Sequence, residues 1–335
     1  MIDIHSHVSD PVGAGDHRYR PDPDWGALPA GWSYVEVAGV AADSQDNVYV
    51  FNRGEHPVIV FDRDGSFLGS WGEGTIERAH GIYITAADRL FLTDDKDHTV
   101  TEYTLAGERV MTLGVSGRPS ATGAVGMDYR TISQVAGPFN LPTNLVAAGD
   151  GRLYVTDGYG NARVHAFSST GEFQFSWGAL GSGPGEFHLP HGIDVDSRGR
   201  VFVADRENSR LQLFDAEGGF LEEWRDVVRP TDLFICDDDT VFVAEEGARC
   251  GLFPWMTPDP NAIGGRVAVF APDGELLARW GGGLDPCSPA DFYAPHAIWL
   301  DSNRTIYVGE VNWSAGGKDG DIPPDCPCLR RYVKV

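Results

Sequence analysis

The sequence predicts an all-β protein built as a single six-bladed β-propeller, and three observations predict it. A phrase of four short strands recurs six times along the 335 residues. Its recurrences are punctuated by 42 glycines and 21 prolines. The chain is 42% apolar and includes 17 Phe, 11 Tyr and 9 Trp, enough for a packed interior. Four antiparallel strands in a unit of about 40–50 residues is the pattern of propeller blades. Six such units fill the chain, so the two domains that length alone would allow are not needed.

The same composition excludes other classes. So many Gly and Pro residues are incompatible with a helical bundle, and the aromatics are incompatible with a disordered acidic segment. No apolar run approaches the ~18–20 residues of a membrane span. The start, Met1 to His7, has neither the basic nor the apolar part of a signal peptide. With 49 Asp+Glu against 26 Lys+Arg the formal net charge is −23, which argues against nucleic acid and anionic membrane as partners. Five cysteines, an odd number, point to reduced thiols and a cytoplasmic protein. Cys326-Pro327-Cys328 has no second Cys or His pair beside it and reads as a structural turn.

Each unit can be justified in order. The second strands fall at Val48–Val50, Leu90–Leu92, Leu153–Val155, Val201–Val203, Val241–Val243 and Ile306–Val308. A third strand and a Gly hairpin follow in four of them, as in Val58-Ile-Val-Phe-Asp-Arg-Asp-Gly65 and Leu211-Gln-Leu-Phe-Asp-Ala-Glu-Gly218. A fourth strand ends at Trp71, Trp177, Trp224 or Trp280. The last unit stops after a third strand at 329–335. Trp32-Ser-Tyr-Val-Glu36 is expected to supply its outer strand, which would remove an open edge. Residues 1–30 are then an N-terminal arm and residues 31–335 the propeller. The acids at the second-strand ends, Asp94, Asp157, Asp205, Glu245 and Glu310, are expected as blade-to-blade contacts.

Twelve residues before the second-strand ends Val50, Leu92, Val155, Val203, Val243 and Val308 stand Ala38, His80, Thr143, His191, Thr231 and His296. These positions open the innermost strands, where all blades approach the axis. Histidine occupies alternate units, whose directions lie about 120° apart in a six-fold ring. Three neutral imidazoles that converge and leave a position open form a catalytic metal arrangement. His5-Ser6-His7 in the arm is a weaker His-X-His pattern. Three residues past the same strand ends, Arg53 and Arg206 sit in opposite units on the histidine face. Arg grips a carboxylate with paired donors, so a small carboxylate-bearing molecule is the expected partner; local acids such as Glu55, Asp205 and Glu207 are the structural alternative. Tyr159 stands on the same rim. Insertions at 116–142, 247–265, 283–294 and 312–327 emerge on this face, and their Tyr129, Phe253, Trp255, Tyr293 and Trp313 are expected to roof it.

Several phrases taken together identify a family. Arg53-Gly-Glu-His56, Ala79-His80-Gly-Ile82, Asp157-Gly-Tyr-Gly-Asn-Ala-Arg163, Pro190-His191-Gly192, Asp205-Arg-Glu-Asn-Ser-Arg210 and Pro295-His296 occur in order across residues 31–335. The chain resembles the lyase domain of peptidylglycine α-amidating monooxygenase, peptidyl-α-hydroxyglycine α-amidating lyase, an NHL-repeat propeller. The resemblance implies zinc on His80, His191 and His296, Tyr159 as general base, and Arg53, with Arg206 as its second, orienting a carboxylate or stabilising negative charge. It implies cleavage of the C–N bond of an α-hydroxyglycine to an amide and glyoxylate. The family's structural calcium does not carry over, because Ala297 stands where the family has Asp. Its disulfide positions correspond to Asn140, Gly160, Phe202 and Leu213. Two other readings stay open: a metal-dependent hydrolase or lyase of another small carboxylate, and an NHL interaction scaffold without chemistry. A three-His site accepts iron or manganese as well as zinc, and oligomeric state is open.

Overall fold

Five four-stranded antiparallel sheets and a sixth of five strands, each ordered from an inner to an outer strand, form the blades of the computed structural model, which describes residues 10–335. The inner strands are Val37–Ala42, Ala79–Ile84, Pro142–Ala147, Pro190–Val195, Pro230–Ile235 and Pro295–Leu300. Each touches the next, and the sixth touches the first, closing the ring. The two inner strands of each blade are rich in β-branched and aromatic residues and almost wholly buried. The outer strands, such as Phe67–Trp71, leave one edge in water. His5-Ser6-His7 lies outside the described residues.

The inner strands run unusually close together. A Cβ on Gly81 would lie 2.6 Å from the Thr143 carbonyl oxygen, and one on Gly192 would lie 2.6 Å from Asp232 Cα. Glycine after His80 and after His191 is therefore a packing requirement of the ring, while the position after His296 accepts Ala297. On the opposite face, blades are tied by Asp46, Asp88 and Asp239. Their carboxylates accept from the backbone N–H and hydroxyl of Ser302, Ser44 and Ser197 in neighbouring blades. These are the blade-to-blade acids. The strand-end acids act differently: Asp94 accepts from Glu77 and Arg78 N–H, Glu245 from Val228 and Glu310 from Tyr293 and Ala294. Each holds the segment that brings the chain into its own blade.

Two further expectations are corrected. The outer strand of blade six is His17–Pro21, paired with Leu329–Lys334, and not Trp32–Glu36. Part of the expected arm thus belongs to the propeller. The reason is burial: Tyr19 is fully enclosed and stacks on Trp280 of blade five, whereas Trp32–Glu36 runs over blade one and places Glu36 against Arg53. The thiols are not all reduced, because Cys287 and Cys326 form a disulfide between two insertions whose Cα atoms lie 4.9 Å apart. Among the described residues no helix is long and apolar enough to cross a membrane.

Two axial carboxylates also link blades. Asp194 accepts from Ile235 N–H at 2.7 Å and Asp232 from Ile298 N–H at 3.1 Å. Burial pushes both up to about 7. Unfolded carboxyls ionise near pH 4, so unfolding releases these protons between about pH 4 and 7, and both groups make stability fall as pH rises through that window. The unfolding midpoint of Asp232→Asn is expected to vary less with pH across it than that of the native protein, measured by thermal melts. Tyr19→Ala, which empties the seam between blades five and six, should cost about 3 kcal/mol in urea unfolding.

Candidate metal centre

His80, His191 and His296 open the inner strands of blades two, four and six, and the fold turns their rings to the axis. The ring centroids form a nearly equilateral triangle with sides of 4.8, 4.7 and 4.7 Å. All three are buried, and one ligand atom from each lies within 4.8 Å of the others. His80 Nδ1 donates to the Thr143 carbonyl at 2.6 Å, His191 Nδ1 to that of Thr231 at 2.6 Å, and His296 Nδ1 to that of Ala38 at 2.8 Å. The acceptors are the residues at the same register position in the intervening blades. Committing each Nδ1 as donor leaves each Nε2 as a lone pair aimed inward.

That arrangement suits a cation. Burial, then mutual repulsion and the nearby arginines, hold the His80 and His191 pKa values well below the usual range; burial and Arg53 do so for His296. The rings are therefore neutral and able to ligate. His296 Nε2 is buried without a partner. Tyr159 Oη lies 3.2 Å from both His80 Nε2 and His191 Nε2, and its one proton can serve only one of them. At least two lone pairs are left for a metal. Below the rings the axial void measures only about 10 Å³. Access is from the other side, where a cavity of about 490 Å³ reaches His296 and Tyr159.

The expected site residues separate here. Arg53 faces the cavity. Its Nε donates to the Ala79 carbonyl at 2.9 Å and its Nη1 to Glu36 at 2.6 Å, leaving Nη2 buried and without a partner. Arg206 does not face it, so the expected pair of arginines across the metal is absent. Arg206 is fully buried behind Tyr159, between the Tyr159 and Phe253 rings, with Nε on Glu207 at 2.8 Å and Nη1 3.5 Å from Tyr159 Oη. The local acid Glu207 thus claims Arg206, while Arg53 pairs with Glu36 and not Glu55. Three insertions line the cavity through residues such as Met127, Phe253 and Ser314; segment 283–294 does not. Phe253 and Trp255 stack at 4.6 Å, with the Arg130 guanidinium 3.9 Å from the Trp255 ring centroid. Trp313 is half exposed, and Tyr293 packs beneath the 312–327 segment.

Glu36, Arg78, Asp95 and Lys96 were not singled out by sequence reasoning. Asp95 carries a signal, since it occupies the same register position as Arg53 and Arg206. It is fully buried with neither oxygen hydrogen-bonded, 3.3 Å from Arg78 Nη1.

Comparison with known proteins agrees with the architecture. A family model described as a 6-bladed beta-propeller matches residues 142–242. NHL repeat-containing protein 3 of Mus musculus is 31% identical over 88% of this chain and 82% of its own length. Peptidyl-alpha-hydroxyglycine alpha-amidating lyase 1 of Drosophila melanogaster is 26% identical over 74% of this chain and 45% of that protein. Among solved structures, a gluconolactonase from Xanthomonas campestris superposes with a TM-score of 0.62 at 14% identity, covering 98% of this chain and 96% of that one; the likeness is one of fold.

Elemental analysis should find about one divalent metal ion per chain, because three aligned Nε2 donors complete one site. His191→Ala and His296→Ala should each lose it, and full occupancy in either variant would remove the site.

Proposed function

The chain belongs to the NHL-repeat propeller family that includes NHL repeat-containing protein 3 and peptidyl-α-hydroxyglycine α-amidating lyases. From that membership we propose that it is a metal-dependent lyase, cleaving the C–N bond of an α-hydroxyglycine-like N-acyl carbinolamine to an amide and glyoxylate. The observation that carries the proposal is the cavity lining: His296, Tyr159 and Arg53, whose Nη2 has no partner, line one cavity.

His80, His191 and His296 would hold the metal. Zinc, or another divalent ion that three imidazoles accept, would supply Lewis acidity toward a substrate oxygen. Arg53 Nη2 offers a charge-assisted donor to the substrate carboxylate, with Glu36 fixing the other end of the guanidinium. Acting as the phenolate, its own proton given up beforehand, Tyr159 Oη takes the carbinol proton while the C–N bond breaks, and the phenol so formed returns that proton to the leaving amide nitrogen. The electrons of the O–H bond become the second bond of the aldehyde carbonyl, those of the C–N bond leave with nitrogen, and no water is consumed. Arg206 is a positioning residue in this scheme, holding the phenol from behind. The stacked Phe253 and Trp255 keep solvent from the reacting centre. The reading requires no particular compartment. The cytoplasmic expectation rested on reduced thiols and loses that basis with the Cys287–Cys326 bond.

The test is α-hydroxyhippurate in heavy-oxygen water. The expected products are glyoxylate and benzamide, the benzamide carrying no solvent oxygen; labelled benzoate would identify a hydrolase instead. Tyr159→Phe should retain its metal and lower kcat by about 10²–10⁴-fold. An unchanged rate would take the base role away from Tyr159.

A further inference from the structure

The cavity is more cationic than one carboxylate requires. Arg53, Arg78, Lys96 and Lys318 line it, in a protein of net charge −23. The one lining carboxylate, Asp128, has both oxygens bonded by Arg130 at 2.7 Å. Glu36 offsets Arg53 and Asp95 offsets Arg78, but Lys96 and Lys318 are exposed and form no ion pair among the described residues. Arg78 directs Nη1 toward Asp95 and the Met127 sulfur, and its Nε and Nη2 make no hydrogen bond among the described residues. Arg53 Nε is anchored on the carbonyl of Ala79, the residue after Arg78. Arg53 and Arg78 thus line one cavity from adjacent blades.

An Arg with spare donors and an unpaired Lys on the wall of one cavity offer charge-assisted donors to an anion. Leu252, Phe253 and Trp255, also lining the cavity, offer apolar contact to the chain between two anionic ends. We propose that Arg78 and Lys96 form a second anion subsite, so that the substrate carries an acidic group on its acyl part besides the carboxylate held at Arg53. The substrate class is then a short N-acyl carbinolamine whose acyl group ends in a carboxylate. This rests on the lyase reading above.

Binding can be tested without turnover by titration calorimetry on the metal-loaded protein. The probes are N-succinylglycine and N-succinamoylglycine, which match in length, lack the carbinol hydroxyl and differ only in a terminal carboxylate or amide. The native protein should bind the succinyl compound about tenfold more tightly, the scale of one charge-assisted hydrogen bond. Arg78→Met should abolish that preference. Lys96→Gln, on an exposed residue that does not endanger folding, should reduce it severalfold. Arg53→Met should weaken both probes alike. Equal affinities in the native protein, or a preference that survives both Arg78→Met and Lys96→Gln, would overturn the subsite and leave the lyase reading standing. Binding of neither probe would remove the carboxylate-binding reading together with the subsite.

Discussion

Three hydrogen bonds from imidazole Nδ1 to backbone carbonyls tie the centre of this molecule together. Each joins a histidine on an even blade to the same register position on the next odd blade, so all six inner strands take part. The bonds set the tautomer of each ring, and the tautomer points each Nε2 at the axis. They also require the strands to run so close that Gly81 and Gly192 cannot carry a Cβ. Fold and site are thus one constraint. A substitution that widened the ring would lengthen these bonds and disperse the lone pairs before it unfolded a blade.

Charge is organised around that centre in layers. The rings are neutral because they are buried. Around them stand buried pairs of opposite charge: Arg53 with Glu36, Arg78 with Asp95, Arg206 and Arg229 with Glu207. Such pairs add little net stability, since desolvation offsets their attraction, but removing one partner leaves a costly unpaired charge. Their effect is positional. They fix guanidiniums whose remaining donors, as in Arg53 Nη2, would otherwise be solvated and mobile. A protein with an excess of acids can in this way present a locally cationic cavity.

Much of this is legible in the amino-acid sequence because it repeats. The six-fold recurrence places the strands, and counting back from their ends finds the three histidines and even their carbonyl partners Thr143, Thr231 and Ala38. What does not repeat is harder to read. The closing strand His17–Pro21 has no counterpart elsewhere in the chain, and Trp32–Glu36, with its aromatics, resembles a strand more closely. Arg53 and Arg206 share a register position yet differ in role, because one lies beside an open cavity and the other beneath the 247–265 insertion that brings Phe253 onto it. The disulfide joins two insertions whose proximity depends on how loops pack, and no strand periodicity encodes that.

The asymmetry of the ring follows from where the insertions emerge. Every blade sends its link between second and third strands, and its link to the next blade, to the face on which the inner strand begins. Extra length at either place covers the histidine face and cannot reach the other. Segments 116–142, 247–265 and 312–327 each use one of these two places, and together they wall the cavity. Among the described residues the opposite end of the axis carries short turns and the Asp–Ser clasps between blades. The repeat therefore supplies the three axial histidines and the access direction, while its departures shape the cavity. A relative with the same three histidines but different insertions would keep the candidate metal centre and change the cavity that leads to it.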